Sequence, residues 1–122
     1  MNDLCAGLEI FADALIGKVF FNLIENSIRH GERVTTITCS YLEDESGLML
    51  IYTDDGIGVP NDEKGKIFQR GFGKHTGFGM FLTKEILTIS GISITENGKP
   101  GEGVRFEIRV ARGKYRFIGN NQ

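Results

Sequence analysis

The sequence predicts an α+β fold of two layers, with helices on one face of a mixed, mostly antiparallel sheet. Three observations carry this. Residues 14–30 and 79–90 repeat apolar side chains at helical spacing. Residues 34–42 and 104–110 alternate apolar with polar, and residues 48–53 are almost continuously apolar. Short polar turns at 43–47 and 97–101 join strands in pairs, as antiparallel hairpins require.

The elements follow in chain order. Residues 7–12 read as a short strand, and Asp13 as a helix cap. In 14–30, Leu15, Ile16, Val19, Phe20, Leu23, Ile24 and Ile28 make an apolar face opposite Lys18, Asn22, Glu25, Asn26 and Arg29. Gly31 is a natural stop. The next strand sets Ile37, Cys39 and Tyr41 against Thr36, Thr38 and Ser40. The apolar run at 48–53 predicts a central strand. A glycine-rich loop covers 54–60, a short helix 62–69 and a second glycine-rich loop 70–76. The second helix has Leu82, Ile86 and Ile89 in register and stops at Gly91. A strand at 92–96 precedes a half-buried one in which Val104, Phe106, Ile108 and Val110 alternate with Arg105, Glu107 and Arg109. Residues 113–122 read as a basic, frayed tail. The expectation is one domain over 1–122, with its core at 7–111.

Composition removes several classes. A formal charge of −2 gives no bulk attraction to nucleic acid or membrane. Arg105, Arg109, Arg112, Lys114 and Arg116 face only Glu107 in the C-terminal region, but no aromatic platform accompanies them, so nucleic acid is not an expected partner. No apolar run spans a bilayer and no secretory leader is present, which predicts a cytoplasmic domain without direct membrane contact, whether or not a parent protein is anchored. Cys5 and Cys39 lack metal-ligand spacing, and His30 and His75 are too scattered for zinc. The unusual figure is 17 glycines in 122 residues, against a usual share of roughly 7%. Eleven lie between Gly56 and Gly103.

Three constellations carry chemistry. Asn22, Glu25, Asn26 and Arg29 share one arc of the first helix. A solvated face is the ordinary reading. Two asparagines in mid-helix are a poor choice for that purpose, whereas a carboxamide oxygen suits a hard cation that takes its other ligands from phosphate and water. Asp54-Asp55-Gly56-Ile57-Gly58 ends the central strand. It is either a common turn or a carboxylate set to accept a hydrogen bond from a base amino group, with glycines allowing close approach. Lys74-His75-Thr76-Gly77-Phe78-Gly79 opens a helix, where free N–H groups cap the chain or attract phosphate. P-loop and Gly-x-Gly-x-x-Gly patterns are absent at each glycine cluster.

Taken in order, Asn22-x-x-x-Asn26, Asp54-x-Gly56-x-Gly58, Ile67-Phe68, Gly77-x-Gly79 and Gly101-x-Gly103-Val-Arg-Phe106 resemble the ATP-binding catalytic domain of sensor histidine kinases over residues 7–111. That family shares the Bergerat α/β sandwich with gyrase, the mismatch-repair ATPases and a heat-shock chaperone. The resemblance implies ATP and Mg²⁺ as cofactors. It implies that Asn26 ligates Mg²⁺ with Asn22 beside it, and that Arg29 faces the phosphates. It gives Asp54 the adenine amino group and places Gly56 and Gly58 along the base. Residues 61–76 become a lid, anchored by Phe68, from which Lys74 reaches phosphate. Thr76, Gly77, Phe78 and Gly79 line the nucleotide where the second helix begins, and Gly103 belongs to the last glycine box. Asn22, Asn26, Arg29 and Lys74 are the residues implied to serve catalysis.

The ATP-hydrolysing branch of the group carries Glu where this chain has Asn22. Glu25 is not the matching position, because neighbouring helical residues point about 100° apart. The resemblance therefore implies delivery of the γ-phosphate to a histidine on a separate dimerisation domain, and indirectly to a response regulator. Phe78 and Met80 stand where the family usually has leucines, and only 18 residues separate Gly58 from Gly77. Two alternatives stay open: a serine kinase of the anti-sigma type, and a nucleotide-binding interaction module without transfer activity.

Overall fold

Apolar alternation builds one side of a sheet, and two amphipathic helices cover it. The computed structural model describes residues 2–3, 8–10, 16–69 and 79–117. In chain order these form β1 (Asn2–Asp3), β2 (Leu8–Ile10), α1 (Ile16–His30), β3 (Ile37–Asp44), β4 (Gly47–Asp54), α2 (Gly79–Ile89), β5 (Ser93–Glu96), β6 (Arg105–Ala111) and β7 (Tyr115–Phe117). The main sheet has the order β1-β3-β4-β6-β5. Only the β1–β3 pair in it is parallel. The near-continuous apolar strand β4 is central, as its composition predicts.

Leu48, Leu50 and Tyr52 of β4 share the helix-covered face with Ile37, Cys39, Phe106, Ile108 and Val110, and Val19, Leu23, Ile86 and Leu87 pack down on them. The β3–β4 hairpin is tighter than the sequence suggests. Asp44 pairs with Gly47, and its carboxylate accepts the N–H groups of Ser46 and Gly47 at 2.8 and 3.2 Å. A side-chain cap thus lets both strands run to a two-residue turn.

The structure corrects four expectations. Ile28 does not belong to the buried face of α1: it is 71% exposed, and Ser27 completes the buried stripe begun by Val19 and Leu23 at intervals of four. On α2 the buried residues are Thr83, Ile86 and Leu87, while Leu82 and Ile89 are exposed. Residues 62–69 form no α-helix. A 3₁₀ turn at Asn61–Glu63 continues through i+3 bonds from Lys66 N–H to Glu63 and from Gln69 N–H to Lys66. Residues 115–117 are not frayed, because β7 pairs antiparallel with β2 in a second, two-stranded sheet. The partner lies across almost the whole chain, which no local pattern reveals. No helix among the described residues is long and apolar enough to cross a membrane.

Candidate functional site

The site is built at the C-terminal end of β4, where three loops meet. Asp54 is the last residue of the strand and is buried. Its N–H reaches the Val104 carbonyl at 3.3 Å. One carboxylate oxygen, Oδ1, accepts the N–H groups of Gly56 and Val104, both at 3.0 Å. The other, Oδ2, accepts the Ser27 hydroxyl of α1 at 2.7 Å. Ser27 Oγ also lies 2.7 Å from the Tyr52 hydroxyl, which in turn donates to the Leu23 carbonyl at 3.0 Å. Ser27 has one proton and gives it to Asp54, so the Tyr52 proton is shared between Ser27 Oγ and the Leu23 carbonyl. Burial pushes the Tyr52 phenol up to about 12, partly offset by its bond to Ser27 and reinforced by the charge of Asp54. Tyr52 is therefore a neutral donor at all ordinary pH.

Glycine has a packing reason in each adjoining loop. A Cβ on Gly56 would lie 2.7 Å from the Gly31 carbonyl oxygen, so the end of α1 and the loop after β4 touch backbone to backbone. Gly103 has φ of +104°, and a Cβ there would fall 1.9 Å from the Asp54 carbonyl oxygen. The space beside Gly58 is likewise filled by Gly103 backbone. Gly101 N–H bonds the Ile57 carbonyl at 2.7 Å, and the Arg33 guanidinium donates to the Gly101 carbonyl. These contacts lock the 31–35, 54–58 and 97–103 loops into one frame around Asp54.

The neighbouring acid does different work. Asp55 turns outward and accepts the Thr35 hydroxyl and the N–H groups of Thr35 and Thr36. These bonds, the Thr35 hydroxyl first, hold its carboxyl down at about 2.

On α1 the polar residues separate by role. Asn22 donates its amide to the Gly79 carbonyl at 3.1 Å and to Thr83 Oγ1 at 3.2 Å, tying α1 to the start of α2. Asn26 adjoins Ser27 and is half-buried. Its side chain makes no hydrogen bond among the described residues, so its oxygen is available as a neutral ligand. That donor suits a Mg²⁺ ion carried largely by phosphates. Among the described residues no group of three or more His, Cys, Asp or Glu gathers to hold a metal by itself. Arg29, one turn after Asn26 on the same helix, is exposed and pairs with Glu25 at 3.6 Å.

Phe68 packs edge-to-face with Phe106, centroids 6.2 Å apart, and Lys84 Nζ lies over the Phe68 ring, 5.7 Å from its centroid. Phe106 also meets Tyr52 at 6.1 Å, so an aromatic chain runs from the 61–69 segment to the hydroxyl network at Asp54. Lys64 secures the same segment by pairing with the buried Glu96, which also accepts the N–H groups of Gly98 and Arg105 at 3.0 Å. Gly79 opens α2. Lys74, Thr76, Gly77 and Phe78 lie outside the described residues. Sequence reasoning missed Ser27, Tyr52 and Glu96. A signal for Ser27 exists, as a hydroxyl in the Val19–Leu23–Ser27 register of an otherwise apolar stripe.

Comparison with known proteins agrees with this geometry. Residues 12–114 match the family described as histidine kinase-, DNA gyrase B-, and HSP90-like ATPase. Alginate biosynthesis sensor protein KinB of Pseudomonas aeruginosa is 33% identical over 96 residues, which is 75% of this chain and 16% of KinB. The chain thus spans a small part of that relative's length. The ATP binding domain of PrrB from Mycobacterium tuberculosis superposes with a TM-score of 0.63 and 26% identity, over 76% of this chain and 63% of that one. The catalytic domain of histidine kinase ThkA gives 0.70 and 25%, over 83% and 70%. With a two-layer sandwich, a buried aspartate at the end of the central strand and glycine loops closed around it, the chain belongs to the histidine kinase-, DNA gyrase B- and HSP90-like ATPase family, with the fold of the histidine kinase catalytic domains.

Proposed function

We propose that this domain binds Mg·ATP and transfers its γ-phosphate to a histidine on a separate dimerisation domain, from which a response regulator is served. The observation that carries the reading is Asp54: a buried carboxylate, fixed by three donors from three segments, with an acceptor position left over. An adenine amino group supplies the matching donor. Gly56, Gly58 and Gly103 form the backbone wall beside it. Asn26 is the residue that would hold Mg²⁺ together with the phosphates, and the ion, when bound, supplies charge neutralisation of the triphosphate. Asn22 positions the start of α2, whose first N–H groups, with Lys74, Thr76, Gly77, Phe78 and Gly79, meet the phosphates. Phe68 anchors the lid over residues 61–76 through Phe106.

In the transfer step an imidazole nitrogen attacks the γ-phosphorus. The bond between phosphorus and the β,γ-bridging oxygen breaks, ADP leaves, and the imidazole N–H proton passes to solvent. The chain's contribution is positioning and charge. Having Asn22 where the hydrolysing branch carries Glu favours a protein acceptor over water. The chain acts as one domain over 1–122, in a cytoplasmic part of a parent protein, and neither His30 nor His75 is the acceptor. The test is incubation with γ-labelled ATP, with and without a dimerisation domain from a related sensor kinase. Acid-labile, base-stable label on the added domain alone is expected. Self-labelling that disappears in His30→Ala would refute the assignment of the acceptor.

A further inference from the structure

We propose that Ser27 is a positioning residue that gives the site its base specificity, by clamping one oxygen of Asp54 so that a single acceptor position faces the bound base. This rests on the reading of Asp54 as the adenine contact. A carboxylate offers about four acceptor positions. Two on Oδ1 are taken by Gly56 and Val104 N–H, and one on Oδ2 by Ser27. The Asp54 carboxyl is therefore pinned at both oxygens. The two backbone donors hold Oδ1, while Oδ2, the oxygen with the open position, takes its bond among the described residues from Ser27 alone. Ser27 therefore sets which acceptor direction of Oδ2 stays open. Its own orientation is fixed in turn, since its single proton points to Asp54 while it accepts from Tyr52, whose hydroxyl is anchored on the Leu23 carbonyl.

The arrangement has a chemical consequence. The remaining position on Oδ2 accepts from an amino group and repels a carbonyl oxygen, so an exocyclic amine is selected at that point of the base. Ser27 also lies one residue from Asn26 on α1. The bond to Asp54 therefore sets the spacing between the base contact and the metal-binding asparagine.

The test compares ATP with purine riboside triphosphate, which lacks the amino group and keeps every other contact. Affinities are measured by competition calorimetry on the full chain. A hydrogen bond to a charged acceptor predicts that the wild type prefers ATP by about 10- to 100-fold. In Ser27→Ala this preference falls to about threefold or less, while purine riboside triphosphate binds within about twofold of wild type. A merely structural role for Ser27 would weaken both nucleotides together. An unchanged preference in Ser27→Ala overturns the proposal. A wild type that binds both nucleotides equally overturns the base assignment of Asp54 instead, so the two failures are separable. Ser27→Cys, near-isosteric with a weak thiol donor, replaces Ser27→Ala if that variant does not fold, and is read by the same ratio.

Discussion

Gly103→Ala should unfold the site from its most crowded point. The added Cβ would sit 1.9 Å from the Asp54 carbonyl oxygen, so one of the two segments has to move by about 1.5 Å to restore an ordinary contact of 3.4 Å. Neither is free to move. Asp54 ends the central strand, and its carboxylate is bonded to the Val104 N–H next to the mutated residue. Separating them weakens that bond and the 3.3 Å bond from Asp54 N–H to the Val104 carbonyl. Left-handed backbone on a non-glycine residue costs about 1–3 kcal/mol. Weakening one charged and one neutral hydrogen bond adds about 2–4 kcal/mol. The sum, about 3–7 kcal/mol, lowers Tm by about 12–28 °C for a domain of this size, at about 4 °C per kcal/mol. Gly101→Ala is the control. Its φ is +86°, but nothing lies within 4 Å of its Cβ, so it carries strain without collision. Circular dichroism melts of both variants separate the two effects. If Gly103→Ala melts within a few degrees of Gly101→Ala, the close packing of the two loops is not what makes glycine necessary.

Other consequences are measurable on the same preparations. Because the Tyr52 phenol titrates higher in the folded chain than the usual 10.0, its contribution is complete below pH 10 and is lost as pH rises to about 12. The loss amounts to about 2–3 kcal/mol, and Tyr52→Phe should flatten that limb of the stability curve in urea melts. Asp55 titrates lower in the folded chain, so its contribution is complete above pH 4 and is lost as pH falls to about 2, and Asp55→Asn should flatten the acid limb. Lys64→Met leaves the buried Glu96 carboxylate with only its two backbone donors and should cost about 1–3 kcal/mol in urea midpoints, much of it recovered when Glu96→Gln is added. Leu23→Ala, at a fully buried position under the sheet, should cost about 2–5 kcal/mol.

Much of this molecule is legible in its sequence, and the reasons are local. Val104, Phe106, Ile108 and Val110 alternate because one face of β6 is buried, and all four are buried in the structure. The central place of β4 follows from its apolar run. Asp54 at the end of that strand, followed by Gly56 and Gly58, is open to two local readings, a common turn or a base contact, and the resemblance over the ordered motifs is what favours the second. What escaped detection depends on distant partners. Ser27 is an ordinary helical polar residue until Asp54 and Tyr52 are brought beside it from β4. Ile28 and Ile89 read as core by spacing, yet the helix faces that count are set by where the sheet lies. The strand at 115–117 has no meaning without β2, more than a hundred residues earlier. The glycines were expected to make room for a nucleotide. Gly56 and Gly103 make room first for the chain's own backbone, and so shape the wall that the nucleotide would meet.

The central claim is that Asp54 recognises the base of a bound ATP. Calorimetric titration of ATP with Mg²⁺ into the wild type, Asp54→Ala and the shape-preserving Asp54→Asn, each verified as folded, tests it most directly. Single-site binding by the wild type and a loss of about 10-fold or more in both variants is expected. Equal affinity in the wild type and a folded Asp54 variant would contradict the account.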